Sequence, residues 1–155
     1  MTDKQKAWDE RFLEMAELVS YWSKDPSTKV GAVLVRPDRT VASVGYNGFP
    51  RNTSDSDELY SDREEKYARV VHAEVNAILH AREPADGYTL YTYPASIAPT
   101  CDSCAGFAIQ AGVARVVCLR DEESGFAARW RLRFERALRM YEEAGVEVTL
   151  VERRI

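Results

Sequence analysis

Val71-His72-Ala73-Glu74-Val75-Asn76-Ala77-Ile78, residues 71–78, and further along Cys101-Asp102-Ser103-Cys104, residues 101–104, decide how this chain is read. One His, two Cys and one Glu in these stretches are the parts of a catalytic zinc site. Cysteines three apart at the start of a helix carry both sulfurs on one face. The free amides and the positive helix end there stabilise thiolates, the form that binds metal. His72 adds a nitrogen ligand. Three protein ligands leave the fourth zinc position open to water, the catalytic rather than the closed structural pattern. Zinc lowers the pKa of that water towards neutrality, and Glu74 is placed to move its protons. Residues two apart in mid-helix point about 200° away from each other. His72 and Glu74 therefore share a pocket only near a helix N-terminus. Val71, Val75, Ile78 and Leu79 give an apolar stripe that begins there.

Each half of the pattern is weak alone. His-x-Glu is common on surfaces and in cores, and Cys-x-x-Cys also serves redox pairs and half zinc fingers. Together, each ahead of a helix and with a strand between, they point to zinc. The combination also matches the signature of zinc nucleobase deaminases.

Working outward, Trp8, Phe12, Met15, Ala16, Val19 and Trp22 predict a helix over 8–22 with these residues on its core face. Pro26 stops it. Val30–Val35 and Val41–Tyr46 read as a hairpin turning at Pro37-Asp38-Arg39. Gly45, Gly48 and Pro50 bracket Asn47 in a tight loop after the strand, where Asn47 could equally be a turn former. Residues 51–69 are polar, with a charge run expected to be a solvated excursion, partly helical towards its end. Beyond the His72 helix, Tyr88–Tyr93 has strong strand propensity, Ala105–Ala111 reads as a helix, and Val113–Leu119 as a strand in which Cys118 is a small buried residue. Phe126, Trp130, Phe134, Leu138 and Tyr141 mark one long amphipathic helix ended by Gly145. Val146, Val148 and Leu150 alternate as a last strand. The arginines along the long helix (Arg129, Arg131, Arg133, Arg136, Arg139) read as a solvated face pairing with Glu135 and Glu142.

The coarse order αββαβαβαβ predicts a mixed sheet of five strands covered by helices on both faces, a three-layer α/β/α sandwich. Ligands in such sheets gather where helix N-termini meet strand ends. At 155 residues the chain is expected to form a single domain over 1–155.

The ordered set of motifs resembles the deoxycytidylate (dCMP) deaminases of the cytidine deaminase superfamily. It includes Trp8-Asp9, the stretch Ser23-Lys24-Asp25-Pro26-Ser27-Thr28-Lys29-Val30-Gly31-Ala32-Val33, and Gly45-Tyr46-Asn47-Gly48-Phe49-Pro50-Arg51. The His72 and Cys101 segments and Ile109-Gln110-Ala111-Gly112-Val113 complete it. The resemblance runs from about Trp8 to Cys118. It implies a cytidine deaminase-like fold, a Zn2+ cofactor, and hydrolysis at C4 of cytosine with release of ammonia, dCMP giving dUMP. His72, Cys101 and Cys104 match the metal ligands and Glu74 the proton shuttle. Ala73 matches the residue offering its backbone amide to the pyrimidine carbonyl, and Asn47 the one holding the sugar hydroxyl. Thr28, Lys29 and Arg51 are expected at the pocket mouth, with Arg51 the first choice for the phosphate because a guanidinium fork suits it. Members are commonly oligomers, so a homo-oligomer, dimer or hexamer, is implied. The chain departs from the pattern before the first cysteine, where Pro99 is followed by Thr100. The middle segment, 52–70, has no Cys or His, so no second zinc is expected.

Other readings stay in the same chemistry, with another base, a modified cytosine nucleotide or a free nucleoside as substrate. A different class, a non-catalytic zinc-stabilised binding domain, has no need of an uncoordinated Glu74. The net charge of −4 gives no general attraction to nucleic acid, which disfavours a polynucleotide editor. No apolar run is long enough to span a membrane. Three cysteines, two of them claimed by zinc, suggest no disulfide framework. A reducing cytoplasm is the expected location.

Overall fold

A computed structural model describes residues 1–153. The single-domain reading over 1–155 therefore ends in two residues, 154 and 155, that lie outside the described residues. The elements are α1 (Asp3–Ser20), β1 (Gly31–Val35), β2 (Val41–Tyr46), α2 (Asp57–Ser61), α3 (Arg63–Arg69), α4 (Ala73–Ala81), β3 (Thr89–Tyr93), α5 (Asp102–Gln110), β4 (Arg115–Leu119), α6 (Gly125–Arg129), α7 (Arg131–Ala144) and β5 (Glu147–Val151). The strands form one sheet in the order β2-β1-β3-β4-β5. β1 runs antiparallel to β2 and β3, whereas β3, β4 and β5 are parallel. The sheet is mixed and has helices on both faces, as the element order predicts.

Alternation along the strands separates the two faces. Val33, Val35, Tyr91 and Val117 pack with Phe12, Leu13 and Ala16 of α1. Ala32, Leu34, Leu90 and Val116 pack with Ala73 and Ala77 of α4, Ala105 and Ala108 of α5, and Ala137 and Tyr141 of α7. Two glycines bring helix backbones close to the sheet. A Cβ at Gly31 would sit 2.0 Å from the Ala16 carbonyl oxygen. One at Gly45 would sit 2.3 Å from the Ala73 carbonyl oxygen and 2.5 Å from the Ala77 nitrogen. α4 thus lies on β2 at backbone contact.

Four expectations change. α1 begins at Asp3, not Trp8, because Thr2 caps it by accepting the Gln5 amide at 3.0 Å. It ends before Trp22, which is 54% exposed and sits edge-on to the Tyr46 ring rather than in the core. The apolar stripe of α4 is only the margin of its buried face: Val75 and Ile78 are half-buried against the core. Ala73, Glu74 and Ala77 are buried and Leu79 is 63% exposed, since a helix this close to the sheet has room only for small side chains. The long C-terminal helix is broken at Trp130 (φ −113°, ψ 17°) into α6 and α7. The break lets Phe126 and Ala127 pack around the cysteine segment while Ala137 and Tyr141 reach the sheet. Finally, the 51–69 excursion contains two capped helices, Ser56 accepting from Leu59 and Asp62 from Glu65, and is not wholly solvated: Tyr60 and Lys66 are buried.

One buried ion pair joins α1 to the sheet. Asp9 accepts both guanidinium arms of Arg115, at 2.6 and 2.8 Å, with further hydrogen bonds from Tyr91 Oη at 2.6 Å and Gln5 Nε2 at 2.9 Å. Burial works to raise the Asp9 pKa, but Arg115, Tyr91 and Gln5 together outweigh it and hold it below the ordinary 3.8. A carboxyl whose folded pKa is depressed adds stability that is complete above its unfolded pKa and is lost as pH falls through the folded one. Thermal melting between about pH 6 and pH 2 should therefore fall more steeply for wild type than for the double variant Asp9→Leu/Arg115→Leu, with the divergence beginning near pH 4. Parallel profiles would show that the pair has no linked proton.

Candidate active site

Two helix N-termini converge to form the site. His72 is the N-cap of α4, in an extended conformation (φ −67°, ψ 150°), and Glu74 lies in its first turn. This is the arrangement that lets residues two apart share a pocket. A two-residue bridge between Gly48 and Val71, with hydrogen bonds of 3.1 and 2.8 Å, ties the approach to His72 to the loop after β2. Cys101 is the N-cap of α5 and Cys104 lies in its first turn. The His72 Nδ1, Cys101 Sγ and Cys104 Sγ atoms all fall within 4.8 Å of one another. Nδ1 is 3.2 Å from Cys104 Sγ and 3.6 Å from Cys101 Sγ. A tetrahedral zinc, with sulfur at about 2.3 Å and nitrogen at about 2.0 Å, spaces such ligands about 3.5 Å apart.

The donor chemistry also fits. Cys104's hydrogen bond and that of His72 outweigh burial and lower the Cys101 thiol, which favours its thiolate. Cys104, as donor to it and deeply buried, is pushed well up. The two sulfurs thus share one proton, which a cation between them would displace. His72 is raised, first by Cys101, against burial. Thr100 braces this turn. Its hydroxyl donates to the Cys101 carbonyl at 2.9 Å and accepts from Tyr141 Oη at 2.7 Å. From α7, Arg133 donates to Asp102 at 2.7 Å and also bonds Ser103.

Glu74 is 5% exposed, and among the described residues its Oε1 has no hydrogen-bond partner. Burial raises its pKa above the usual 4.5, opposed mainly by His72. An unpartnered buried carboxylate oxygen beside three metal-type donors is costly in a folded chain. It is explained if the group meets something that enters from outside.

A cavity of about 740 Å³ opens over this floor. Asp25, Thr28 and Asn47 line one wall, and Tyr60, Arg63, Lys66 and Tyr67 of the excursion another. Phe126, Arg129, Trp130 and Arg133 of the α6–α7 break also line it. Tyr67 and Trp130 meet edge to face at 6.2 Å.

Of the residues singled out from sequence, His72, Ala73, Glu74, Asn47, Thr28 and Cys101 line the cavity, and Cys104, outside the lining, keeps its sulfur within 4.8 Å of the His72 and Cys101 donors. Asn47 is buried, accepting the Val30 amide on Oδ1 at 2.9 Å and donating from Nδ2 to the Thr28 carbonyl at 2.9 Å. Arg51 and Lys29 are not among the lining residues. Arg51 stands in an exposed turn that closes on Pro50 through Thr53. The Lys29 ammonium folds back onto the Ser23 carbonyl. In their place the structure brings in Arg63, Lys66, Arg129 and Arg133, which the sequence reading left as solvated charge. Lys66 and Arg133 are paired with Asp25 and Asp102. Among the described residues neither Arg63 nor Arg129 has a carboxylate partner; Arg129 donates to Thr28 Oγ1 at 3.2 Å.

The chain is similar to known proteins over nearly its whole length. A family model for the zinc-binding region of cytidine and deoxycytidylate deaminases matches residues 6–120. An uncharacterised deaminase from Aliivibrio fischeri is 44% identical over 144 residues, covering 92% of each chain. The deoxycytidylate deaminase of Homo sapiens is 34% identical over 143 residues, 87% of this chain and 78% of the human one. The crystal structure of the dCMP deaminase of cyanophage S-TIM5, in complex with dCMP and dUMP, superposes with a TM-score of 0.70 at 25% identity. That match covers 97% of this chain and 99% of the phage one.

Proposed function

The chain belongs to the cytidine and deoxycytidylate deaminase family, and on that footing we propose that it hydrolyses the 4-amino group of a cytosine nucleotide, converting dCMP and water to dUMP and ammonia. The observation that carries this is the buried, unpartnered Glu74 Oε1 beside the His72, Cys101 and Cys104 donors at the cavity floor.

His72, Cys101 and Cys104 would hold the zinc. When bound, zinc supplies a Lewis acid that turns water into a nucleophile near neutral pH. Glu74 takes the proton given up by the water, delivers it to N3 of the ring, and carries the second to the departing amine. Ala73 opens α4, so its amide is one of the donors without a partner inside the helix; it serves the pyrimidine carbonyl. Asn47, with its side-chain N–H bonds turned inward, keeps an acceptor lone pair on Oδ1 for a sugar hydroxyl. Phe126 and Trp130 exclude water from the base.

The phosphate contact falls to Arg129 and Arg63, the cavity-lining arginines without carboxylate partners among the described residues, with Thr28 beside Arg129. Ammonia release from dCMP, CMP, deoxycytidine, 5-methyl-dCMP and a short single-stranded DNA tests the whole reading. dCMP should be turned over best. Arg129→Ala should lower kcat/KM for dCMP about 10- to 150-fold, the worth of one charge-assisted hydrogen bond, and leave deoxycytidine nearly unchanged. Equal losses on both would remove Arg129 from phosphate recognition. Equal wild-type rates on both would leave a nucleoside deaminase.

The same reading carries a single-domain, cytoplasmic homo-oligomer, dimer or hexamer. No helix among the described residues is long and apolar enough to cross a membrane. Trp22, Leu79, Phe107 and Leu132 are exposed apolar side chains of a kind that contacts between copies cover.

A further inference from the structure

Lys66 is out of character for its surroundings. It lies in a run of charges on α3, yet it is 8% exposed, and its ammonium meets Asp25 Oδ1 at 2.8 Å. Burying an ammonium and a carboxylate costs several kcal/mol each and is offset only where both are well paired. Asp25 is completely engaged. Oδ1 also accepts the Ser27 and Thr28 amides at 2.8 and 3.2 Å, and Oδ2 accepts Asn47 Nδ2 at 3.3 Å. Ser23 extends the network, its hydroxyl donating to the Asn47 carbonyl at 2.8 Å. Both Lys66 and Asp25 face the cavity. The pair therefore reaches across from the excursion to the turn at 25–28 and, through Asp25, to the carboxamide of Asn47.

We propose that Lys66 is a positioning residue for the substrate's sugar end. Its ammonium fixes Asp25, and Asp25 fixes the 25–28 turn and the rotamer of Asn47 over the cavity floor. The proposal rests on the nucleotide reading above, in which Asn47 receives the sugar hydroxyl. It makes the α3 segment part of the binding apparatus although Lys66 itself touches no substrate. Asn47's two N–H groups are directed at Asp25 and the Thr28 carbonyl, and Oδ1 accepts the Val30 amide, which leaves the second lone pair of Oδ1 as the acceptor open to a ligand. Loosening Asp25 removes one of the three hydrogen bonds that hold the carboxamide and releases the 25–28 turn that supplies a second, so the open lone pair shifts from its place over the cavity floor.

The test is the kinetics of Lys66→Met on dCMP, with zinc content and amide exchange measured on the same samples. KM should rise about tenfold, the worth of one misplaced hydrogen bond. kcat should stay within about twofold and zinc should be unchanged, because the metal donors and Glu74 stand on α4 and α5. Lys66→Arg should recover most of the KM. In a cycle with Asp25→Asn the two KM penalties should not add, because one acts through the other. The double variant also lacks the unpaired buried charge, so it keeps the question open to measurement if Lys66→Met alone folds poorly. Exchange at the amides of Ser27, Thr28 and Val30 should speed up about tenfold in either variant, with the α5 amides unaffected. An unchanged KM with only a lower melting temperature would make Lys66 purely structural and overturn the proposal. Full additivity in the cycle would make it a direct substrate contact and also overturn it. If wild type is silent on every substrate of the panel, the nucleotide reading fails instead, and the exchange measurements alone decide whether Lys66 holds the turn.

Discussion

Glu74→Gln should bind zinc and dCMP and yet turn over about 10²–10⁴-fold more slowly than wild type. The substitution preserves the length and shape of the side chain at a position that is 5% exposed in the first turn of α4. What it removes is the capacity to take a proton from water and give it to the ring and the leaving nitrogen. A loss at the upper end of that range, or beyond, is expected, because one group serves more than one transfer. The variant should melt no lower than wild type. Glu74 Oε1 is an orphan among the described residues, and an amide carries a smaller burial cost than a carboxyl that must ionise. Stopped kinetics with retained metal and retained or improved stability would mark a residue kept for chemistry. A rate near wild type would overturn the mechanism.

Cys101→Ala should abolish both metal and activity. With one sulfur gone, His72 and Cys104 leave two donors, fewer than the three protein ligands usual at catalytic zinc sites. Metal analysis after dialysis should fall from near one zinc per chain to near zero, and ammonia release to background. Cys118→Ala is the matched control. That thiol is buried in β4, and burial pushes it up to about 12, so it stays protonated and outside the donor set. It should keep its zinc. Full zinc in Cys101→Ala would overturn the ligand assignment.

The floor of the site was legible because its parts are local. His72 and Glu74 are two positions apart and Cys101 and Cys104 three, each pair at the helix start that orients it. The strands were legible because their apolar runs match the pleat. What escaped depends on partners distant in sequence. Lys66 and Asp25 are 41 positions apart, Arg129 and Thr28 are 101 apart, and no periodicity announces either pair. Buried Lys66 and solvated Glu64 look alike in a charge run. Arg51 shows the converse: it directly follows the loop that carries Asn47, but it stands in an exposed turn outside the cavity lining, which the sequence alone does not tell. The α6–α7 break at Trp130 was invisible because the apolar period continues through it. What breaks the helix is the demand that its two halves pack against different neighbours.

The contact at Gly45 divides the site into a fixed part and an adjustable part. Because α4 touches β2 through backbone atoms, no smaller residue exists to bring it closer, and any larger one must lift the helix with His72 and Glu74 together. The height of the reacting centre above Asn47 is therefore set in one step and offers no gradual tuning. The rim has no such constraint. Its residues come from the 57–69 helices and the α6–α7 break, which meet through side chains. New substrate preferences, whether by natural drift or in a directed-evolution library, should arise from changes at Arg63, Tyr67, Arg129 and Trp130, while position 45 tolerates only glycine.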